Sequence, residues 1–170
     1  MELVKPHKKY LASYIEALTE GFPIGGCSDD ASFVKNNFEK HLSNLYRPRE
    51  IWNDGEIRDD VPFQRLWIIE DDIFIGHMNL RVELNDFHEV LGGNIGYRVR
   101  TSFNGQGYAT EALKQSLELC KLKKMNRVLV TCEEDNLASI RVIEKNNGKL
   151  LDKIKPNWCE KTIKRYLITV

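Results

Sequence analysis

The segment Val99–Glu111, which reads VRTSFNGQGYATE, constrains this chain more than any other. Its first two residues, Val99 and Arg100, end a strand pattern, NIGYRVR, and a helical pattern begins near Tyr108. Gly105 and Gly107 lie between these patterns, and glycine can leave backbone N–H groups open to a ligand because it has no Cβ. The positive end of a helix dipole lies at the same point, so the turn predicts a phosphate or pyrophosphate site. A tight strand-to-helix turn without a ligand is the alternative.

The common nucleotide-binding motifs do not match this turn. Thr110 stands where a dinucleotide fingerprint has its third glycine, and the preceding strands have an antiparallel pattern. No Gly-Lys-Ser/Thr follows, which excludes a P-loop.

Length and composition predict one domain with an ordinary core. The chain has 170 residues, no internal repeat and no Ser/Gly linker, so we expect residues 1–170 to form a single domain. Its 25 Lys and Arg balance 25 Asp and Glu, and its mean hydropathy is −0.43. These values argue against a nucleic-acid partner and against a membrane protein.

The cysteines and the N-terminal residues favour a reducing, cytoplasmic compartment. Cys27, Cys120, Cys132 and Cys159 include no C-x-x-C pair, so we expect neither a metal site nor a disulfide framework. The first residues, MELVKPHKKY, lack the apolar core of a signal peptide. We therefore expect a reduced, cytoplasmic protein.

The zero net charge conceals an asymmetry. Residues 114–170 carry 13 Lys and Arg against 7 Asp and Glu, which leaves 12 and 18 for residues 1–113. Such halves suit a polyanionic ligand beside a cationic partner, and solvated surface charge is the alternative.

Hydrophobic periodicity predicts an α+β protein with a central mixed, mostly antiparallel sheet. The apolar run Arg127–Cys132 is typical of a parallel strand buried on both faces. The predicted strands are Met1–Lys5, Arg65–Glu70, Ile73–Leu84, Asn94–Arg100, Arg127–Cys132, Leu150–Lys155 and Ile163–Val170. The predicted helices are Lys8–Glu20, one that starts near Ser28 or Asp29 and ends before Pro48, Gly107–Leu122, and Ala138–Lys145.

Two blocks of this chain resemble the GNAT N-acetyltransferase superfamily, in particular its bacterial predicted-acetyltransferase branch. The family signature, Arg/Gln-x-x-Gly-x-Gly/Ala at a strand-to-helix junction, falls on Asn104–Ala109, with Asn at its first position. The second block is Asp135–Ser139 followed by the helix end at Gly148, which is similar to the family's Asn-x-x-Ser segment. The resemblance covers about residues 63–155.

The resemblance implies a GNAT-like twisted sheet flanked by helices, in which two adjacent parallel strands splay apart to hold acetyl-CoA. Pantetheine would bond to backbone in the gap and the thioester would lie beside Thr131–Glu133. The residues implied in cofactor binding are Tyr97, Val99, Arg100, Asn104, Gly105, Gln106, Gly107, Tyr108, Ala109, Asn136 and Ser139. Helix capping is the alternative role for Asn136.

The sequence identifies the catalytic and acceptor-binding residues less clearly than the cofactor-binding residues. Many family members have a tyrosine acid where this chain has Ile143, so Ser139 or solvent would supply the proton. Glu133 is the best carboxylate for a base or for positioning a water, with a surface-loop residue as the alternative. Arg81 and Asn85, in RVELN, match a branch motif that suggests acceptor binding, and a solvated strand face is the alternative. A surface or packing role is favoured over proton relay for His77 and His88.

The sequence therefore predicts an acetyl-CoA-dependent N-acetyltransferase that acetylates a primary amine directly. A metal is not expected, the acceptor is expected to be cationic, and the resemblance allows a homodimer. A non-catalytic acyl-CoA-binding or regulatory module is the rival hypothesis, motivated by Asn104 and Ile143.

Overall fold

The computed structural model describes residues 1–24, 29–46 and 61–170. In chain order, the elements in these ranges are β1 Glu2–Val4, α1 Leu11–Thr19, α2 Ala31–Asn36, α3 Phe38–Leu45, β2 Phe63–Glu70, β3 Ile73–Arg81, α4 Asp86–Val90, β4 Ile95–Val99, α5 Tyr108–Leu122, β5 Arg127–Glu133, α6 Leu137–Lys145, β6 Lys149–Ile154 and β7 Ile163–Thr169. Cys27, Ser28, Pro48 and nearly all of the stretch 48–62, which the sequence suggests is irregular, lie outside the described residues.

The strands form two sheets. One has the order β1-β2-β3-β4 and the other the order β5-β7-β6. Strand β1 pairs antiparallel with β2, and β7 pairs antiparallel with both β5 and β6. The predicted α+β class with mostly antiparallel strands and flanking helices is confirmed, although the strands lie in two sheets rather than in one central sheet.

The chain divides into two compact units. Unit 1 comprises Met1–Asp60, Arg65–His77 and Val99–Tyr108, and unit 2 comprises Val61–Gln64, Met78–Arg98 and Ala109–Val170. Each unit contains buried apolar residues.

An aromatic cluster forms the core of unit 1. The Tyr14 ring lies 4.4 Å from the Trp67 ring and 4.9 Å from the Phe74 ring, between centroids. Helix α1 contributes Tyr14 because its apolar residues recur at helical spacing. The buried members of the cluster are Tyr10, Tyr14, Ala17, Phe22, Val34, Phe38, Trp67, Ile69 and Phe74.

Unit 2 is organised around β5. This strand is buried over Val128–Val130, and its regular partner is β7, with Leu129 opposite Leu167. Strand β5 therefore pairs antiparallel with β7, whereas the apolar run predicted a parallel strand. A continuous apolar run reports burial on both faces, which an antiparallel strand can also have.

A two-residue hairpin turn joins β2 to β3. Asp71 and Asp72 have φ angles of 49° and 62°, as a two-residue type I′ turn requires. Asp tolerates this left-handed region better than most residues because its short side chain can bond locally.

The predicted helices differ from the structure at three places. The second helix is divided into α2 and α3 at Asn37, which has φ −136° and ψ 45°. Asp30, rather than Ser28 or Asp29, caps α2, since its Oδ1 accepts from the N–H of Phe33 at 2.7 Å. Helix α4 has no counterpart in the prediction because five residues are too few to show helical periodicity. Within the described ranges, no helix is long and apolar enough to cross a membrane.

Candidate active site

Strand β4 presents one free edge. The N–H of Arg100 donates to the carbonyl of Ile75 at 2.8 Å, and the N–H of Arg81 donates to the carbonyl of Asn94 at 2.7 Å. Both bonds fit one antiparallel register, in which the even-numbered residues of β4 bond to β3. The backbone groups of Tyr97 and Val99 then point to the opposite edge. Among the described residues, β4 is the outer strand of its sheet, and an extended ligand chain can add to an outer strand edge.

Strands β4 and β5 meet at Asn94 and belong to different sheets beyond it. The N–H of Asn94 donates to the carbonyl of Leu129, and the N–H of Leu129 donates to Asn94 Oδ1, both at 2.7 Å. The Asn94 Nδ2 also donates to the carbonyl of Arg81 at 3.1 Å. One asparagine therefore joins β3, β4 and β5 where the two sheets part.

Gly93 lies against β5 at this junction. A Cβ at this position would lie 2.4 Å from the carbonyl oxygen of Leu129, and its φ is +59°. Beside it, the N–H of Gly92 donates to Thr131 Oγ1 at 2.8 Å. Only glycine allows the backbone of this loop to approach β5 so closely.

The turn before α5 has the backbone conformation that its two glycines suggest. Gly105 and Gly107 have φ angles of +77° and +88°, and a Cβ on either would meet no atom within 4 Å. Gln106 lies between them and its Nε2 donates to the carbonyl of Ser102 at 3.2 Å. The glycines are thus required by the left-handed backbone, and the space beside them is open.

The other residues of the signature make local contacts. The N–H of Asn104 donates to the carbonyl of Thr101 at 3.1 Å. The Tyr108 ring makes an edge contact with the Phe103 ring, with 5.9 Å between centroids. Tyr108 is the first residue of α5 and Ala109 is the second, so both lie in the turn whose N–H groups have no partner within the helix.

Arg100 has its polar groups engaged within unit 1. Its Nε and Nη2 donate to the two carboxylate oxygens of Glu20 at 3.1 and 2.5 Å, and Nη1 donates to the carbonyl of Phe74 at 2.9 Å. Its N–H bonds to β3, and its carbonyl accepts from the N–H of Phe103 at 2.9 Å. Arg100 therefore differs from Tyr97 and Val99, because its backbone N–H faces β3 rather than the free edge.

The start of α6 brings together three of the residues singled out in the sequence. Asn136 caps the helix, since its Oδ1 accepts from the N–H of Ser139 at 3.0 Å. The Tyr97 hydroxyl donates to the carbonyl of Ser139 at 3.4 Å. Burial raises the pKa of Tyr97 to about 12, partly opposed by the side chain of Ser139. Tyr97 is consequently neutral at physiological pH and can donate a hydrogen bond.

Glu133 ends β5 and is half-exposed. Its Oε2 lies 3.5 Å from Lys161 Nζ. Lys161 also lies 2.8 Å from Asp135 Oδ2, which holds the pKa of Asp135 below its usual value. Glu133 is therefore part of an exposed ion-pair group at the end of β5, and no described hydrogen bond or ion pair joins it to Ser139.

Arg81 and Asn85 both make contacts around α4. Arg81 is 9% exposed; its Nη1 lies 3.5 Å from the carbonyl of Gly93 and its guanidinium lies over the Phe63 ring. Asn85 caps α4, because its Oδ1 accepts from the N–H of His88 at 2.9 Å. It also lies 2.8 Å from His88 Nδ1.

His77 and His88 occupy packed positions. The His77 ring makes an edge contact with the Phe22 ring, with 5.3 Å between centroids. His88 is 3% exposed. Within the part of the chain that the structure describes, no group of three or more His, Cys, Asp or Glu side chains could hold a metal ion.

A family model, the acetyltransferase (GNAT) domain, matches residues 24–149. The chain belongs to the GNAT acetyltransferase family. It is therefore an acyltransferase, and acetyl-CoA is the acetyl donor of this family. Comparison with curated proteins gives no match.

Solved structures with the same fold span nearly the whole chain. A GNAT-family acetyltransferase from Bacillus anthracis has 18% identity and a TM-score of 0.62, covering 98% of this chain and 93% of its own. The microcin C7 self-immunity acetyltransferase MccE, in complex with acetyl-CoA and AMP, has 17% identity and a TM-score of 0.64, covering 99% and 91%. A spermidine N-acetyltransferase chimera from Vibrio cholerae and hSSAT has 11% identity and a TM-score of 0.60, covering 99% and 94%.

Sequence reasoning missed the junction at Gly93 and Asn94. The paired glycines indicated only a loop and Asn94 only the start of a strand, because Leu129, the partner of Asn94, lies 35 residues further along the chain. A polar residue directly after paired glycines, ahead of an apolar strand, was the available signal.

Proposed function

We propose that this protein transfers the acetyl group of acetyl-CoA directly to a primary amine of a cationic acceptor, and that residues 1–170 act as one catalytic domain. The observation that supports this most is the free edge of β4, where the backbone groups of Tyr97 and Val99 face away from β3. The amides of pantetheine can bond to such an edge as an added strand does.

The glycine turn supports a second part of the cofactor site. The backbone N–H groups of Gly105–Ala109 are proposed to bind the pyrophosphate, since the turn is open and the helix dipole favours an anion there. Asn104 and Gln106 are proposed to take part in this site through the backbone of the turn. Asn136 is proposed to contact pantetheine through its amide while its Oδ1 caps α6.

The reaction needs little more than positioning and proton removal. The amine must lie in a near-attack geometry, a backbone N–H must polarise the thioester carbonyl, and a base must take the ammonium proton. Glu133 is proposed as that base and Ser139 as a donor to the leaving thiolate. No step in this sequence requires a metal.

The acceptor is proposed to be a cation because residues 1–113 carry six more acidic than basic residues. Arg81 and Asn85 are proposed to act near the acceptor by fixing the loop at Gly93 and helix α4. The spermidine N-acetyltransferase chimera among the similar structures is named for a cationic acceptor, which supports this class.

Release of free thiol tests the function. The protein is incubated with acetyl-CoA and a panel of polyamines, aminoglycosides, peptides and neutral amines, and the thiol is measured. We expect turnover with a cationic amine. Tight CoA binding without turnover on any amine would instead support the acyl-CoA-binding module, and turnover restricted to neutral acceptors would overturn the proposed charge preference.

Gly107→Asp tests the pyrophosphate site. A carboxylate there would repel the phosphates, and we expect the affinity for CoA to fall about tenfold or more. Gly107→Asn is the matched control, because asparagine has nearly the size of aspartate and a similar tolerance of the left-handed region but no charge, and the space beside Gly107 accepts a Cβ. Calorimetry that finds equal CoA affinities for the two variants would contradict this location.

A further inference from the structure

We propose that the Tyr97 hydroxyl is a further catalytic group, which donates a hydrogen bond to the thioester sulfur as the carbon–sulfur bond breaks. This inference rests on the proposed function. It follows from the position of Tyr97 on β4, from its contact with α6 and from the apolar residue at position 143.

The backbone and side chain of Tyr97 lie at the same place in unit 2. Its backbone groups face the free edge of β4, so a pantetheine chain bonded there passes this residue. Its side chain reaches the first turn of α6, where the hydroxyl lies 3.4 Å from the carbonyl of Ser139. A group at the thioester end of the ligand therefore comes within reach of this hydroxyl.

Helix α6 has no hydroxyl one turn beyond Ser139. Ile143 is fully buried there, and the chain folds back tightly over it. A Cβ on Gly148 would lie 2.3 Å from Ile143 Cγ2. This position is filled by apolar packing and cannot supply a proton donor. Tyr97 brings a phenol to the same helix from the facing strand.

The existing partner of Tyr97 holds its proton weakly. A distance of 3.4 Å exceeds the ~2.5–3.0 Å usual for an O–H···O bond. The hydroxyl can therefore turn to a better acceptor, and a developing thiolate is one because it is charged. Cys132, on the segment proposed to lie beside the thioester, also raises the pKa of Tyr97, after burial as the main cause.

The chemistry balances without proton transfer from Tyr97. The amine nitrogen attacks the acetyl carbon, and the carbonyl electron pair moves to oxygen. When this intermediate collapses, the C–S bond breaks and sulfur leaves with the electron pair. A phenol with a pKa of about 12 keeps its proton beside a thiol of pKa ~8.5, so Tyr97 stabilises the thiolate through its hydrogen bond. Ser139 or solvent then protonates the sulfur, and the amine proton goes to the base.

Tyr97→Phe tests the proposal, with Tyr166→Phe as the matched control. Tyr166 is also buried in unit 2 and also lies near Cys132, so its variant reports the loss of a neighbouring buried hydroxyl. We expect kcat to fall roughly 10- to 100-fold in Tyr97→Phe, with KM for acetyl-CoA changed less than about twofold. Tyr166→Phe should retain kcat.

A second measurement does not require turnover. The pKa of the thiol of bound CoA, followed by the ultraviolet absorbance of its thiolate, should rise by about 1 in Tyr97→Phe, the equivalent of a tenfold effect. Wild-type turnover with an unchanged kcat in Tyr97→Phe would overturn the role of Tyr97 alone. Absence of wild-type turnover with every amine would overturn the proposed function, and the role of Tyr97 with it.

Discussion

At Gly93 one missing Cβ allows two strands to meet. Because a Cβ there would lie 2.4 Å from a backbone oxygen of β5, Gly93→Ala must displace backbone rather than a flexible side chain. We expect a loss of roughly 2–4 kcal/mol in the free energy of unfolding, from overpacking and from the left-handed φ together. Urea denaturation measures it.

Gly21→Ala is the control for this prediction. Gly21 has a φ of +83°, and no atom lies within 4 Å of its Cβ position, so only the backbone strain of roughly 1–2 kcal/mol applies. Equal losses in the two variants would mean that the contact with β5 contributes nothing.

Individual residues also show the limits of sequence reasoning. The conformation of Gly105 and Gly107 could be predicted because it depends on the turn itself. The ion pair of Arg100 could not be predicted, because its partner Glu20 lies 80 residues away in the sequence. The odd-even alternation that separates Arg100 from Tyr97 depends on the pairing with β3, which single-strand patterns do not reveal.

Among the elements, the long ones were predictable and the short ones were not. Helix α5 and the hairpin β2–β3 follow from periodicity and from turn chemistry. Helix α4 depends on its cap at Asn85 rather than on an apolar face. The break at Asn37 interrupts an apolar pattern that continues on both sides of it, so the pattern alone suggested one helix.

The cap of α6 provides a prediction for a whole helix. Asn136→Ala removes the acceptor for the N–H of Ser139, and we expect a loss of about 1 kcal/mol in unfolding free energy. Asn136→Asp keeps the cap and should retain stability. If the amide of Asn136 also contacts pantetheine, both variants lose CoA affinity in calorimetry. Unchanged stability in Asn136→Ala would refute the cap.

For the molecule as a whole, His41 predicts a pH dependence of stability. It is fully buried, its Nε2 lies 3.0 Å from the Tyr14 hydroxyl, and its Nδ1 lies 2.9 Å from Asp29 Oδ2. Burial lowers the pKa of His41, partly offset by Asp29. The folded state therefore favours the neutral ring, and the unfolded chain binds the proton more readily.

The contribution of neutral His41 to the free energy of unfolding should therefore be fully present above the unfolded pKa of ~6.5. It should decline as the pH falls below that value towards the lower pKa of the folded state. We expect the free energy of unfolding to be lower at about pH 5.5 than at about pH 7.5, which urea denaturation at the two values measures. His41→Gln should lack this part of the decline. An identical pH dependence in both proteins would assign the effect to other groups.

The charge asymmetry predicts salt-dependent catalysis. If the acidic surplus of residues 1–113 attracts a cationic acceptor, kcat/KM for that acceptor should fall several-fold between low and high ionic strength. A neutral amine of similar size is the control and should be insensitive to salt. Equal salt dependence for both amines would contradict electrostatic attraction.

The alternation along β4 also restricts which length changes this strand can accept. Inserting one residue between Ile95 and Val99 would exchange the groups facing β3 with those facing outward, and would turn the Tyr97 phenol to the other face of the sheet. A two-residue insertion would restore both. Relatives and engineered variants should therefore differ in this strand by even numbers of residues, or contain a bulge that absorbs the odd one.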